Sequence, residues 1–365
     1  MSFLSSRNAV LPMKTFTNTT CRIPPQSGTF MRLLLCLFII CLTIPDARAQ
    51  LTQDATKQLR LYEDDDYFNV WGRGTDRAYS NGTAIGYLYM KNKKSTFLDK
   101  WIFPVAGKSS LNVFEWDLMQ VMITPNNIAD TNYNPADFYY AGATYAIHGL
   151  TSYNPDKKYS LHSEIVFGVL GPWSLADDAQ NFFHRLIGYQ PPRGWGHQVP
   201  NAPLLNYNFM YEVMLWNPCP TLEVIGGVDA RAGTMITSIS GHTYLRAGLF
   251  NPYFGDRDAA KGTHRRFQLY VMARPQFWFM GYNALLQGGI FKSRDTNFQE
   301  LEANRQSKMH HFSIGMDYGI GIVIRRFTLA YTQKTSTAWM SGTGKHSVGN
   351  ITLLIPISRK TIPGK

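Results

Sequence analysis

Cysteine is scarce in this 365-residue chain, with four in all, and three of them, Cys21, Cys36 and Cys41, fall before residue 50. Cys219 alone remains beyond that point, so no disulfide framework can support the fold. Long hydrophobic runs are missing too. After Gln50 no stretch reaches the ~20 apolar residues that a membrane-spanning helix needs. The H-E-x-x-H, paired C-x-x-C, P-loop and G-x-S-x-G patterns are all absent, which removes the common zinc, nucleotide and serine-nucleophile signatures. No internal repeat or low-complexity segment points to a propeller or solenoid.

One short apolar run is present near the amino terminus. Met31 and Arg32, the stretch from Leu33 to Leu42, and Ala47-Arg48-Ala49 have the form of a signal peptide cleaved before Gln50. Residues 1–30 carry no pattern and read as a start placed too early. Residues 1–49 are therefore expected to be leader, and residues 50–365 a single exported domain. No small-residue pair precedes a cysteine at the cleavage point, which argues against a lipoprotein. Of the 36 Lys and Arg, five lie in the leader, as does one of the 25 Asp and Glu, leaving 31 basic against 24 acidic residues. That balance suits an anionic, phosphate-bearing partner. Nucleic acid is not expected, because the chain reads as exported and its basic residues are scattered, the densest group being Lys91, Lys93 and Lys94.

What the mature chain has in abundance is alternation. Phe267, Leu269, Val271, Ala273, Phe277 and Phe279 share one face of a strand, with Gln268, Tyr270, Arg274 and Gln276 on the other. Leu222, Val224, Val228, Ala230 and Ala232 alternate with Glu223, Asp229 and Arg231, and Leu161, Ile165, Phe167 and Val169 with His162 and Glu164. In 312–322 the apolar positions face Ser313, Asp317 and three glycines, which leave room on that side. Further strands are expected at 83–90, 113–123, 137–147, 208–216, 243–250, 284–292, 327–333 and 348–357. About a dozen strands of ~10 residues fit an all-β transmembrane antiparallel barrel, apolar side chains to lipid and charges to the lumen. A soluble all-β protein is the alternative. Trp195, Trp278 and Trp339 read as interface-belt or loop residues, and His310-His311 as exposed loop.

Three segments carry candidate chemistry. After Gly171-Pro172 the stretch from Ser174 to Gly188 reads as a helix, with Ser174 as N-cap, Asp177 and Asp178 in the first turn, and Gly188 as the stop. Gln180 and His184, four residues apart, share a helix face, where the histidine can take a proton from water and the amide can orient it or a substrate. A helix plugging the lumen with an incidental histidine is the plainer alternative. Glu63-Asp64-Asp65-Asp66 is either a hard-cation site or an acidic, solvated strand end. In Thr75-Asp76-Arg77-Ala78-Tyr79-Ser80-Asn81-Gly82 the Asn-Gly pair is either a hairpin turn or part of a site in which Ser80 orients substrate.

Taken in order, an acidic pair near the mature amino terminus, a D-R-x-Y-[ST]-x-G segment and a Q-N-x-x-H-R-x-I-G helix resemble the outer-membrane lipid A 3'-O-deacylase, or LpxR-like, family. The resemblance also takes in Tyr139 to Gly142, Gly168 to Pro172, Gly194-Trp195 with Gln198, and Gly349-Asn350-Ile351-Thr352. It implies a monomeric, membrane-embedded enzyme of a Gram-negative outer membrane acting on lipid A or lipopolysaccharide. His184 would be the base that activates water, assisted by Gln180, with Ser80 in place of a threonine more common in the family. Asp65 and Asp66 would hold calcium, which stabilises the oxyanion; a shift of one residue to Asp64-Asp65 stays open. Gln190 stands where some members have glutamate. The basic tail from Ser358 to Lys365 follows the last strand, where an aromatic end is more usual. Two other functions remain in view: a phospholipase with a serine nucleophile, and a non-catalytic porin or lipid-binding barrel on the same scaffold.

Overall fold

The computed structural model describes residues 57–70, 78–90, 97–132, 134, 137–255, 265–291 and 308–357. The leader, the Asp76-Arg77 pair, the Lys91–Lys94 group and the basic tail lie outside the described residues.

Twelve strands among the described residues close into one antiparallel barrel, each pairing with its sequence neighbours and the last with the first. They are β1 (Lys57–Asp65), β2 (Ala78–Met90), β3 (Leu111–Thr124), β4 (Ala141–Asn154), β5 (Tyr159–Leu170), β6 (Ala202–Cys219), β7 (Leu222–Gly233), β8 (Ile236–Leu249), β9 (Phe267–Asn283), β10 (Phe312–Ile324), β11 (Phe327–Ser336) and β12 (His346–Pro356). Three short helices interrupt them: α1 (Phe97–Ile102), α2 (Ala176–Ile187) and α3 (Ala284–Gln287). No described helix is long and apolar enough to cross a membrane. The expectation for 284–292 fails, because β9 runs on to Asn283, whose side chain caps Leu285 N and starts α3. The twelfth strand is instead β1, whose charged sequence hides its period.

The alternation places apolar side chains outside. A row of paired neighbours, Leu61, Ile85, Leu118, Ala146, Phe167 and Leu205, runs across β1 to β6 on the outer wall, and all but Ala146 are exposed. Inside, charges meet charges. Arg60 pairs with Glu115 at 2.9 Å and with Asp117, His162 lies 3.1 Å from Glu164, His242 3.0 Å from Glu212, and Arg246 3.0 Å from Glu223. Buried charges of this kind persist because each has a partner. The inner glycines of β10 make room for rings, since a Cβ at Gly315 or Gly321 would run into Trp278 or Tyr270. Trp278 therefore fills the lumen instead of belonging to an aromatic belt.

The mouth at the start of β4 is filled by an apolar cluster that includes Ile123, Leu170, Tyr139 and all three apolar residues of α3. α3 is thus the helix that fills the lumen, and α2 is free for another task.

Alternation also separates the acidic run. Asp64 points inward, where it receives Lys334 at 2.9 Å, Asn350 at 2.9 Å, Tyr62 at 2.6 Å and Tyr79 at 3.0 Å. These partners come from β11, β12, β1 and β2, so one carboxylate ties both sides of the seam where the barrel closes. Glu63 and Asp65 point outward. Asp64→Ala is expected to lower barrel stability by about 1–3 kcal/mol, because it strands the half-buried Lys334 ammonium and the other donors that this carboxylate accepts from. Asp65→Ala should cost much less. The temperature at which the folded band shifts on heating in detergent gels measures both, and equal losses would contradict the inward and outward assignment.

Candidate functional site

The polar residues that do not fit a lipid-facing wall lie together on it. One step above the apolar row, Glu63, Thr83, Gln120 and Thr144 are cross-strand neighbours on β1 to β4, and the next step holds Asp65, Asn81, Met122 and Gly142. Thr83 Oγ1 donates to Glu63 at 2.7 Å, and Asn81 Nδ2 donates to Glu63 at 2.6 Å and to Asp65 at 3.4 Å. Two carboxylates converging on one amide make this strip a local concentration of negative charge. Asn81-Gly82 is therefore not a hairpin turn. The pair lies within β2, next to an irregularity in its register at Tyr79, and Gly82 leaves room for the Tyr79 ring.

Two segments lie over the outer wall and bound this strip. On one side the chain leaves β1 in a 3-10 turn, Asp66–Phe68, for which the Asp65 side chain is the cap, accepting from Tyr67 N at 2.8 Å. The turn rests on β12 and β2. Phe68 sits where a Cβ on Gly349 would be, and its carbonyl accepts from Tyr331 Oη at 2.7 Å. Asp66 is buried within the turn.

On the other side α2 packs on β3 and β4. Gln120 and Thr144 both donate to Ser174 O at 2.7 Å, and Gly142 lets Ala176 and Ser174 come against the strand. The helix begins at Ala176, with Leu175 in the left-handed region as its cap residue and no capping side chain, so Ser174 stands one residue too early for its expected role. Gly188, at φ 70°, ends the helix as expected. Partial burial raises the Asp177 carboxyl above its ordinary range, against the lowering effect of a hydrogen bond from Asn181.

Ala176, Gln180 and His184 are the buried residues of α2. Trp195 Nε1 donates to Gln180 Oε1 at 2.8 Å, and its ring, which lies 4.8 Å from that of Tyr140, belongs to the cluster of Met122 and Ala176. Trp195, in the loop between α2 and β6, is thus a buried support of α2 and no part of an aromatic belt. His184 Nδ1 lies 2.6 Å from Gln190 O, with the Tyr189 ring edge-on at 5.1 Å. A backbone carbonyl can only accept, so in the neutral ring Nδ1 carries the proton and Nε2 keeps its lone pair.

Ser80 is buried and faces Met122 O at 3.5 Å, under the residue on which Ala176 and Trp195 pack. Ser80 thus meets Met122 directly and Gln180 reaches the Met122 cluster through Trp195, while His184 lies one turn further along the same buried face of α2, Asp65 on the outer strip and Asp66 in the turn that follows β1. Glu63 had been noted only as part of the acidic run, and Thr83 and Gln120 had not stood out in the sequence. Their signal was polarity at outward positions, readable only once the strand phase is known.

A second acidic group lies inside the barrel. Glu115, His162 and Glu164 each place a ligand atom within 4.8 Å of the others and could hold a metal ion. Their present contacts are those of an ion-pair network: Glu164 faces His162 Nε2, Glu115 faces Nδ1 at 3.8 Å, and Arg60 neutralises Glu115.

A family model described as "Outer membrane protein LpxR" matches residues 33–357. Among solved structures the chain is similar to LpxR from Salmonella typhimurium, at 14% identity and a TM-score of 0.64, covering 82% of this chain and 99% of that one. It is also similar to the β domain of the Bordetella autotransporter BrkA, at 8% identity and a TM-score of 0.40, covering 83% and 99%. No curated protein matches the sequence.

The seat of α2 makes a testable demand on Gly142. Gly142→Val is expected to lift the helix from the wall, so that limited proteolysis cuts within 173–193 faster while the barrel keeps its heat-dependent gel shift. Unchanged cleavage would show that α2 does not depend on this contact.

Proposed function

The chain belongs to the LpxR family of outer-membrane proteins, and on that premise we propose that it is a lipid A deacylase that hydrolyses an ester-linked acyl chain of the 3'-O-acyloxyacyl type. The observation that carries the reading is the hydrogen bond from His184 Nδ1 to Gln190 O, which leaves Nε2 as a base on the face of α2 that is held against the wall. His184 Nε2 takes a proton from water, and the oxygen adds to the ester carbonyl carbon. As the carbon–oxygen bond to the sugar breaks, the imidazolium returns the proton to the leaving oxygen, giving a fatty acid and a free hydroxyl. No acyl-enzyme forms. Gln180, its oxygen engaged by Trp195, offers its amide N–H groups to the substrate, and Ser80 helps to orient it.

The donor set on the outer strip fits a hard divalent cation. Asp65 and Asp66, with Glu63 and the Asn81 side-chain carbonyl nearby in the fold, supply oxygen ligands of the kind calcium takes. Calcium bound there would polarise the ester carbonyl and stabilise the charge that develops on its oxygen. The strip's own contribution is the concentration of carboxylates that would draw the cation to an otherwise apolar wall. The inner face, crossed by paired charges and closed at one mouth by the apolar cluster, does not favour the porin reading.

Mass spectrometry of lipid A from a Gram-negative host is the test. Wild type should remove an acyl mass, and His184→Ala, folded by its heat-dependent gel shift, should lower the rate by about 10²–10⁴-fold. An unchanged lipid A profile with wild type would overturn the reading. Calcium should raise the melting temperature of wild type and fail to do so for Asp65→Asn. A calcium effect that is the same in both would remove Asp65 from the metal site.

A further inference from the structure

α2 has three faces where a helix resting on a soluble protein needs two. At about 100° per residue, Ala176, Gln180 and His184 form the face against the wall, while Asp177, Asp178, Asn181 and Arg185 form a polar face. On the remaining side lie Phe182, Phe183 and Leu186, preceded by Leu175, while Ala179 at the margin packs on the Met122 cluster. Phe182 is 57% exposed, Phe183 55% and Leu186 69%.

This apolar face begins where the barrel's own lipid-facing wall ends. Gln120 and Thr144, which hold Ser174, are one step along their strands from Leu118 and Ala146, members of the exposed apolar row that continues through Phe167 to Leu205. Trp173, also exposed, stands between the two surfaces in sequence and is held by its backbone N–H to Asn201 Oδ1 at 2.7 Å. The polar face, with both aspartates and Arg185, has the composition of a surface in contact with water.

We propose that the Phe182, Phe183 and Leu186 face of α2 is buried among the acyl chains of the outer leaflet, so that α2 is an interfacial helix and the strip beside it is entered sideways from the membrane. The occupant is lipid hydrocarbon, because the face is continuous with a wall already in that solvent. It carries no charge on that side and pairs with nothing else in the described chain. The proposal rests on the outer-membrane barrel and does not require the hydrolytic reading.

Photo-crosslinking in outer membranes tests the placement without reference to activity. A benzophenone side chain in place of Phe182 or Leu186 should give lipid adducts of the full chain by mass spectrometry, as should one at Phe167 on the wall. One at Asp178 should give none. Adducts to a second polypeptide at 182 and 186, or lipid adducts at 167 without any at 182 and 186, would overturn the proposal. A second arm separates membrane entry from chemistry. The Phe182→Ser, Leu186→Ser double variant should hydrolyse vesicle-embedded lipid A at least tenfold more slowly and keep its rate on a detergent-dispersed substrate. Equal loss on both substrates would count against lateral entry, while the crosslinks would still report where the helix lies.

Discussion

Closure of the sheet between β1 and β12 is the constraint from which the remaining structure follows. In a hydrocarbon environment an open edge would leave a row of peptide groups unpaired, at several kcal/mol for each. The register that closes it, from Gln58 opposite Pro356 to Asp65 opposite Gly349, fixes the phase of β1. Once that phase is set, Asp64 must enter the lumen and Glu63 and Asp65 must face outward. Of the four acidic residues in the run, the pleat sends Asp64 inward to hold the seam and Glu63 and Asp65 outward to the strip, and Asp66 passes into the turn that follows. The seam and the site are therefore parts of the same strand, and moving the register by one residue would exchange their roles.

A site on the outer wall needs something to shelter it from hydrocarbon. Here two segments supply that shelter: the Asp66–Phe68 turn on the β12 side and α2 on the β3 and β4 side. Both are held by hydrogen bonds to polar residues at outward positions, Tyr331 in one case and Gln120 with Thr144 in the other. Glycines at Gly349 and Gly142 let each segment approach the backbone it covers. The same outward polarity that would weaken a bare wall is what docks the cover, so the rim of the barrel and the boundary of the site are one arrangement.

Much of the barrel was legible because alternation is a property of single strands. The faces of β5, β7, β9 and β10 follow directly from their sequences, and the count of twelve strands comes out the same even though 284–292 is not a strand and β1 is. β1 was obscured because Glu63 and Asp65 occupy the positions that lipid-facing residues normally hold. The spacing of Gln180 and His184 gave their shared face. It could not say whether that face meets the lumen or the outer wall, since this depends on the outward phase of Gly142 and Met122. The burial of Trp195 was hidden for a similar reason: its partner Gln180 lies in another segment, and no local pattern announces a hydrogen bond across fifteen residues.

The tautomer of His184 shows how a backbone detail can do the work of a side chain. Residue 190 is a glutamine, whose amide side chain offers no charge to an imidazolium. What contacts Nδ1 here is the carbonyl of residue 190, which is the same for glutamine and glutamate. That carbonyl is positioned by the end of α2, where Gly188 turns the chain back and Tyr189 N returns to His184 O at 2.8 Å. Orientation of the imidazole therefore depends on the helix stop more than on the identity of residue 190.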